Sequence, residues 1–433
     1  PDIKRVIARI DTVIIDEAHP LVHDYRGRHL VYLLRRLERR QNRRLQKIAL
    51  SATLADPNDV GRFFGCGSDT VCMVEAVGRQ IAPRLVHLLN DSHELIALLD
   101  DLYRKWDYHK IMIFANSRGR CDQIHEVLNR GSAFRNQVLL HYSNLSAKQR
   151  SDVECRFRKQ SRAVCVATST LELGIDVGDV DAVVLFEPPD SVAAFLQRIG
   201  RANRRSATIH FWGICRGERA ADQLLRFLAL LFLARQGKVE TPLPKLLPSV
   251  LAQQIVSCLY EKKRLSPAAL KNLFDLDDHS GGSLPVDDTF ASLVHKKWLR
   301  ETGLRGIYKG GWRYRDALLD HRIWSNFPET EQEYSLIVSG ETIADIPLSI
   351  VRQLDVGDKV LLTGRRLRIL WIDEGQNKRV LAEPTQERLD DKEILWVGMG
   401  SHVSLETAQA MREVLKSSNR VDNVDAHGLF ART

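Results

Sequence analysis

The strongest constraint on the fold is a recurring pattern, in which a short apolar run stops at a small polar or acidic cluster. Thr12-Val13-Ile14-Ile15 ends at Asp16-Glu17-Ala18-His19, and the run 47–50 ends at Ser51-Ala52-Thr53. The run 111–115 ends at Asn116-Ser117-Arg118, and 163–167 ends at Thr168-Ser169-Thr170. Further runs lie at 137–140 and 182–186. Short β-branched runs of this kind predict buried parallel strands. Helical stretches are predicted between most of them, at 119–130 and 146–159, and another at 29–45. The last carries Leu30, Leu33, Leu34, Leu37 and Leu45 at spacings that make one apolar face. Alternating strands and helices predict parallel α/β sheets covered on both faces, with ligands held beyond the carboxyl ends of the strands.

Past about residue 215 the rhythm changes. A helix at 219–236 precedes the Pro-punctuated stretch Thr241-Pro242-Leu243-Pro244, read as a linker. Helices are predicted at 249–261, 266–274 and 287–297, and the Gly-interrupted run Trp298 to Tyr314 reads as a two-stranded wing. Short alternating strands from Glu333 to Ala382, with turns at Gly340, Gly357-Asp358, Gly364 and Gly375, predict a small β-barrel. A helix at 403–416 follows. Composition narrows the class: 44% hydrophobic and 27% charged residues exclude a disordered chain. The longest apolar run, Phe227 to Ala234, is too short to span a bilayer, so no membrane partner is expected. Seven Cys without a CxxC pair support neither a zinc ribbon nor a disulfide framework, and suit a reducing, cytoplasmic setting. The net charge of +8 permits a polyanionic partner.

The strand-end clusters carry the chemistry. A carboxylate at Asp16 can hold the hydration shell of Mg²⁺ while Glu17 orients an attacking water. The hydroxyls of Thr168 and Ser169 can donate to phosphates, and Gly174 allows close backbone approach. In Gln197-Arg198-Ile199-Gly200-Arg201-Ala202-Asn203-Arg204 arginines recur three apart, on one helical face, where guanidinium groups could meet a γ-phosphate. The bland alternative for each block is a solvated acidic pair or a capped helix with a solvated basic face. Their common order and strand-end placement favour the chemical reading. Two surfaces remain open between nucleic-acid contact and mere solvation. One is the stripe Arg35, Arg36, Arg39, Arg40, Arg43, Arg44; the other is Arg305, Lys309, Trp312, Arg313 and Arg315 on the wing. Trp298 and Trp371 are read as packing residues.

In this order Asp16–His19, Ser51–Thr53, Phe114–Arg118, Thr168–Asp176 and Gln197–Arg204 resemble motifs II, III, IV, V and VI of superfamily 2 helicases. Tyr25-Arg26-Gly27-Arg28, Val250-Leu251-Ala252-Gln253-Gln254-Ile255 and Leu354-Asp355-Val356-Gly357-Asp358 resemble the Lhr (large helicase-related) branch. The resemblance implies α/β, RecA-like parallel sheets, the first one partial, followed by a winged helix and a small β-barrel. The implied boundaries are 1–80 for the C-terminal part of RecA-like domain 1 and 81–214 for RecA-like domain 2. Residues 215–320 would be a linker helix and winged helix, 321–400 the barrel, and 401–433 a helical remnant and tail. It also implies an ATP-dependent helicase using ATP and Mg²⁺, with 3′ to 5′ polarity on single-stranded or partly duplex DNA, RNA or an RNA–DNA hybrid being further options. Carried over by position, Asp16 holds Mg²⁺ through water and Glu17 is the general base. His19, Ser51 and Thr53 couple nucleotide state to closure. Gly174 and Asp176 touch nucleotide, Gln197 lies near the γ-phosphate, and Arg201 and Arg204 are arginine fingers. Ser117, Arg118, Thr168, Ser169 and Arg313 contact nucleic acid. The family usually has Gly where Asn203 stands; Asn tolerates the left-handed region better than most residues.

The family's phosphate-cradling loop, GxxxxGK[ST], is expected roughly a hundred residues before the acidic box. Fifteen residues precede Asp16, and the single Gly-Lys pair, Gly237-Lys238, continues with Val239. The sequence-level expectation is therefore a chain truncated at its N-terminus, inactive as an ATPase alone, whose missing RecA portion lies in cis or on another chain. The competing reading is a non-catalytic nucleic-acid-binding subunit. Asp16-Glu17 with Arg201 and Arg204 argue against it, since pure binding has no use for them.

Overall fold

A computed structural model describes residues 6–51, 53, 56–65, 79–89, 92–171, 179–202, 208–240, 247–274, 286–320, 322–324, 333–373, 378–387 and 403–417. Its internal contacts group the chain into two units, 1–75 with 241–330, and 76–240 with 331–433. The expected five-part division is thus folded into two bodies, each joining segments distant in sequence.

The first unit opens with β1 (Thr12–Ile15), α1 (Tyr25–Gln41), β2 (Gln46–Ala49) and α2 (Pro57–Phe63). β1 and β2 pair in parallel, Ile15 opposite Ala49. The parallel pairing agrees with the sequence reading; burial does not. Ile14 is 63% exposed, because this two-stranded sheet covers one face only, burying Ile15 against Val31, Leu34, Phe63 and Phe64. α1 begins four residues earlier than expected, where Asp24 caps it by accepting from Arg26 N. On that helix Leu33 is exposed, outside the apolar face assigned to it.

The second unit takes the chain through β3 (Gln80–Leu88), α3 (His93–Arg104), β4 (Lys110–Ala115), α4 (Arg118–Gly131), β5 (Val138–His141), α5 (Ala147–Lys159), β6 (Ala163–Ala167), β7 (Ala182–Phe186), α6 (Val192–Ile199), β8 (Thr208–Arg216) and α7 (Ala220–Arg235). Six strands form one all-parallel sheet in the order β3-β8-β7-β4-β6-β5. Its central strands are buried on both faces, as parallel sheets require. The boundary expected at 214/215 falls inside β8. α7 belongs to this body: Phe227 closes over Gly213, where an added Cβ would lie 2.6 Å from Leu85 and 3.0 Å from the Phe227 ring.

Back in the first unit come α8 (Pro248–Lys262), α9 (Pro267–Phe274), α10 (Val286–His295), the antiparallel pair β9 (Leu299–Glu301) and β10 (Tyr308–Gly310), and α11 (Trp312–Leu319). Three helices and then a two-stranded antiparallel pair follow in the order read from the sequence. Trp312, Arg313 and Arg315 sit on α11, outside the wing, because Gly311 ends β10 against the Lys297 carbonyl. Trp298 packs against the helical core as expected. α1 docks on these helices: Arg36 donates to Gln254, Ser257 and Glu261, Arg39 to the Asn272 carbonyl, and Tyr32 meets Phe274 edge-on. Part of the arginine stripe is therefore an internal docking face, neither free for phosphate nor merely solvated.

The chain ends, in the second unit, with β11 (Glu333–Val338), β12 (Glu341–Pro347), α12 (Leu348–Val351), β13 (Lys359–Leu362), β14 (Arg365–Ile372), β15 (Arg379–Pro384) and α13 (Leu405–Ser417). The strands make a mixed sheet, β12-β11-β15-β14-β13, with β11 and β15 parallel. Among the described residues its ends, β12 and β13, share no ladder. Trp371 is 47% exposed beside exposed Leu370, contrary to the packing role expected of it: a register shift between Ile369 and Trp371 turns this end of β14 outward. α13 lies on α7 and buries Ala410 in the main core of this unit, so it is an integral element rather than a remnant.

Candidate active site

In the first unit, parallel pairing of β1 and β2 sets the acidic box beside the Ser51 segment. Leu50 N donates to Ile15 O and Ala18 N to Leu50 O, both at 2.9 Å. Asp16 turns its carboxylate back onto Glu17 N at 2.9 Å. Glu17 adopts φ +48°, a left-handed conformation costly for a residue with a side chain. Its Oε2 is buried without a hydrogen-bond partner and lies 4.0 Å from His19 Nδ1. His19 Nδ1 lies 3.2 Å from Ser51 Oγ, whose single proton goes to the Thr53 carbonyl at 3.1 Å. With that proton committed, His19 is the donor in the pair. Burial lowers the His19 pKa, so the ring is neutral near pH 7. The structure thus brings Asp16, Glu17, His19, Ser51 and Thr53 together, Thr53 Oγ1 being buried and unbonded.

In the second unit the predicted residues gather at one edge of the sheet. The register puts Phe114, Ala167 and His141 in one row across β4, β6 and β5, so Ser117, Thr168, Ser169 and Ser143 follow at neighbouring carboxyl ends. Ser117 caps α4, accepting from Arg120 N. Arg118 donates to Ser143 Oγ at 3.3 Å, and burial lowers its pKa. Ser169 begins a single 3-10 turn. Gln197 is on α6, whose helix stops at Ile199 with Gly200 as cap. Arg198 and Arg201 therefore do not continue along one helical face. Arg198 is buried, donates to Asn116 Oδ1 at 2.8 Å and stacks over Phe114; Arg201 is buried in the following turn. Gly174, Asp176, Asn203 and Arg204 lie outside the described residues. Arg313 is exposed, over the ring of Trp312, which is 53% exposed.

Sequence reasoning missed the supports of this edge. His141 is buried and bridges Glu154 on α5 at 3.0 Å to Thr170 Oγ1 at 2.9 Å, fixing the segment that follows β6. Asn116 completes another bridge, donating to the Pro188 carbonyl at 2.9 Å while holding Arg198. Among the described residues no cluster of metal-binding side chains occurs, and no helix is long and apolar enough to cross a membrane.

Two family models match these bodies: the DEAD/DEAH box helicase model over residues 2–60, and the helicase conserved C-terminal domain model over 94–206. With the parallel sheets and strand-end clusters, these matches make the chain similar to superfamily 2 helicases. The ATP-dependent helicase Lhr-Core of Methanocaldococcus jannaschii is 28% identical over 395 residues, covering 86% of this chain and 45% of the relative. The Lhr helicase/uracil glycosylase of Escherichia coli is 26% identical over 491 residues, covering 95% of this chain and 31% of the relative. The solved Mycobacterium smegmatis helicase Lhr, bound to ssDNA and AMP-PNP, superposes with TM-score 0.61 and 27% identity, covering 72% of this chain and 43% of that one. The helicase MrfA shares the fold, with TM-score 0.65 and 19% identity. Within superfamily 2 the chain is Lhr-like. It spans less than half the length of these two curated relatives.

Proposed function

We propose that the chain forms part of an ATP-driven, 3′ to 5′ translocase that grips single-stranded DNA through its phosphates. The observation that carries this reading is the first-unit cluster. A strand-end Asp-Glu pair, with one carboxylate oxygen buried and unbonded, is hydrogen-bond connected through the neighbouring strand end to a His–Ser switch. A buried, orphaned carboxylate oxygen is costly in a purely structural element and fits a group that receives a polarised water. Asp16 would hold Mg²⁺ through water, and the ion would supply charge neutralisation of ATP phosphates when bound. The residues' own part is to orient water at Glu17 and to pass the state of the site from His19 to Ser51. In the second unit Arg201, with Arg204, supplies guanidinium charge, while Ser117, Arg118, Thr168, Ser169 and, on the winged-helix reading of α8–α11, Arg313 hold the strand.

These 433 residues contain no GxxxxGK[ST], so the chain by itself is expected to hydrolyse ATP at background while still binding nucleic acid. Nucleic-acid-stimulated turnover by the purified chain, lost in Glu17→Gln, would contradict the first half. For the second, log affinity for single-stranded DNA should fall linearly with log salt, at about 0.7 per phosphate contact. Arg118→Ala and Arg313→Ala should each flatten that slope by roughly 0.7, whatever the base sequence. Unchanged slopes would remove these residues from the strand track. Competition by RNA of the same sequence separates the DNA reading from an RNA helicase.

A further inference from the structure

The helix that carries Gln197 and leads into Arg201 is held at both ends by residues outside the recognised motifs. At its N-terminus Ser191 Oγ accepts from Ala194 N at 3.0 Å. The Glu240 carboxylate takes two more first-turn donors, Val192 N at 2.5 Å and Ala193 N at 3.4 Å. At its C-terminal end Arg79 donates to the carbonyls of Gly200 at 3.4 Å and Ala202 at 3.2 Å, on either side of Arg201. The signs suit a helix dipole, anion at the N-terminus and cation at the C-terminus. Glu240 is itself engaged from elsewhere. Buried Thr407, on α13, donates to it at 3.4 Å, and Ser404 Oγ donates to Thr407 Oγ1 at 3.0 Å. Arg79 lies three residues from the start, and Glu240 at the end, of the chain's first passage through this unit, residues 76–240.

We propose that Arg79 and Glu240 are positioning residues for α6 and Arg201, and that α13 sets Glu240 through Thr407. The three first-turn amides and the two terminal carbonyls would otherwise need water. Holding them with side chains from both limits of the 76–240 segment makes the order of the arginine-bearing turn depend on those limits and on the C-terminal helix. The role for Arg201 rests on the translocase reading; the tether itself does not.

The test is backbone hydrogen exchange over residues 192–202 in the complete chain. Glu240→Gln, which keeps the reach and removes the charge, should speed exchange there roughly tenfold. Thr407→Val, which keeps the volume and removes the hydroxyl, should do so several-fold, and Thr407→Ser should restore slow exchange. Glu240→Gln with Thr407→Val should add little to Glu240→Gln alone, since both lie on one path. Exchange across α7 should stay unchanged in all of them, which separates tether loss from unfolding. Unchanged exchange over 192–202, failure of Thr407→Ser to rescue, or simple additivity would each overturn the proposal. Slow exchange lost as expected in a chain that shows no DNA affinity would uphold the tether and defeat the translocase reading.

Discussion

Gly27→Ala is expected to destabilise the first unit by about 3 kcal/mol, although helix propensity alone predicts a gain of about 1 kcal/mol. Gly27 lies in the first turn of α1. A Cβ there would stand 1.8 Å from the Leu21 carbonyl oxygen and 2.6 Å from its carbon. Both are backbone atoms, so no side-chain rotation relieves the overlap. The carbonyl is also engaged, accepting from Asp24 N at 3.2 Å in the turn that caps the helix. To admit the methyl group, α1 must move away from the 19–21 turn. Yet α1 is pinned on both sides: Val31 and Leu34 in one core, Tyr32 in the other, and Arg28 over the Phe63 ring at 4.9 Å. Steric cost therefore exceeds propensity. At roughly 2–4 °C per kcal/mol for a unit of this size, thermal unfolding should shift down by about 6–12 °C. The neighbouring Arg26→Ala, at an exposed position, should shift it little. Equal melting of Gly27→Ala and the parent chain would show that the close approach carries no weight.

That contrast marks what the sequence could and could not reveal. The Tyr25–Arg28 pattern was recognisable by resemblance, but its glycine has ordinary helical φ, so only the distance to Leu21 explains it. Strands ending in polar clusters were legible because burial on both faces leaves apolar runs, as in β4, β6 and β7. β3 and β8 were not picked out as strands. β3 lies at the sheet edge, where Pro83 and Arg84 are tolerated, and β8 mixes His210, Gly213 and Arg216 with its apolar residues. The site residues were legible because each motif is local. Their supports were not, because Arg36 to Gln254, Arg79 to Ala202 and Glu240 to Val192 join positions that no periodicity relates. A buried bond of that kind leaves no mark in a short window of sequence. The exposed Ile14 shows the converse limit: apolar patterning reports a strand, but the number of layers covering it is a tertiary property.

Another long-range anchor of this sort is Asp122, and its loss is expected to cost about 3–5 kcal/mol. It sits fully buried on α4 and accepts from Tyr142 Oη at 3.0 Å, from Thr363 N at 2.9 Å and from Gly364 N. Those last two donors belong to the β13–β14 turn, so one carboxyl fastens the mixed sheet to the parallel one; Arg366 with Glu126 adds a second link at 2.5 Å. Asp122→Ala would orphan the buried Tyr142 hydroxyl and both turn amides together. Burial raises the Asp122 pKa to about 8 against a reference of 3.8, its hydrogen-bond donors opposing the shift. Native chain then keeps a proton that unfolded chain has released, so stability falls as pH rises between about 4 and 8. Partly buried His19, His29 and His125, with buried His141, act oppositely: burial lowers their pKa values, so stability rises with pH until the unfolded histidines, with a reference value of 6.5, have lost their protons. At pH 6.5 those unfolded histidines are still half protonated, so their contribution completes only about one pH unit higher and overlaps the Asp122 slope. The urea midpoint of the parent chain should therefore fall relative to that of Asp122→Asn, which cannot ionise, between pH 6.5 and 8. Parallel declines in the two proteins would assign the slope to other groups and leave Asp122 ionised in the fold, held by its three donors.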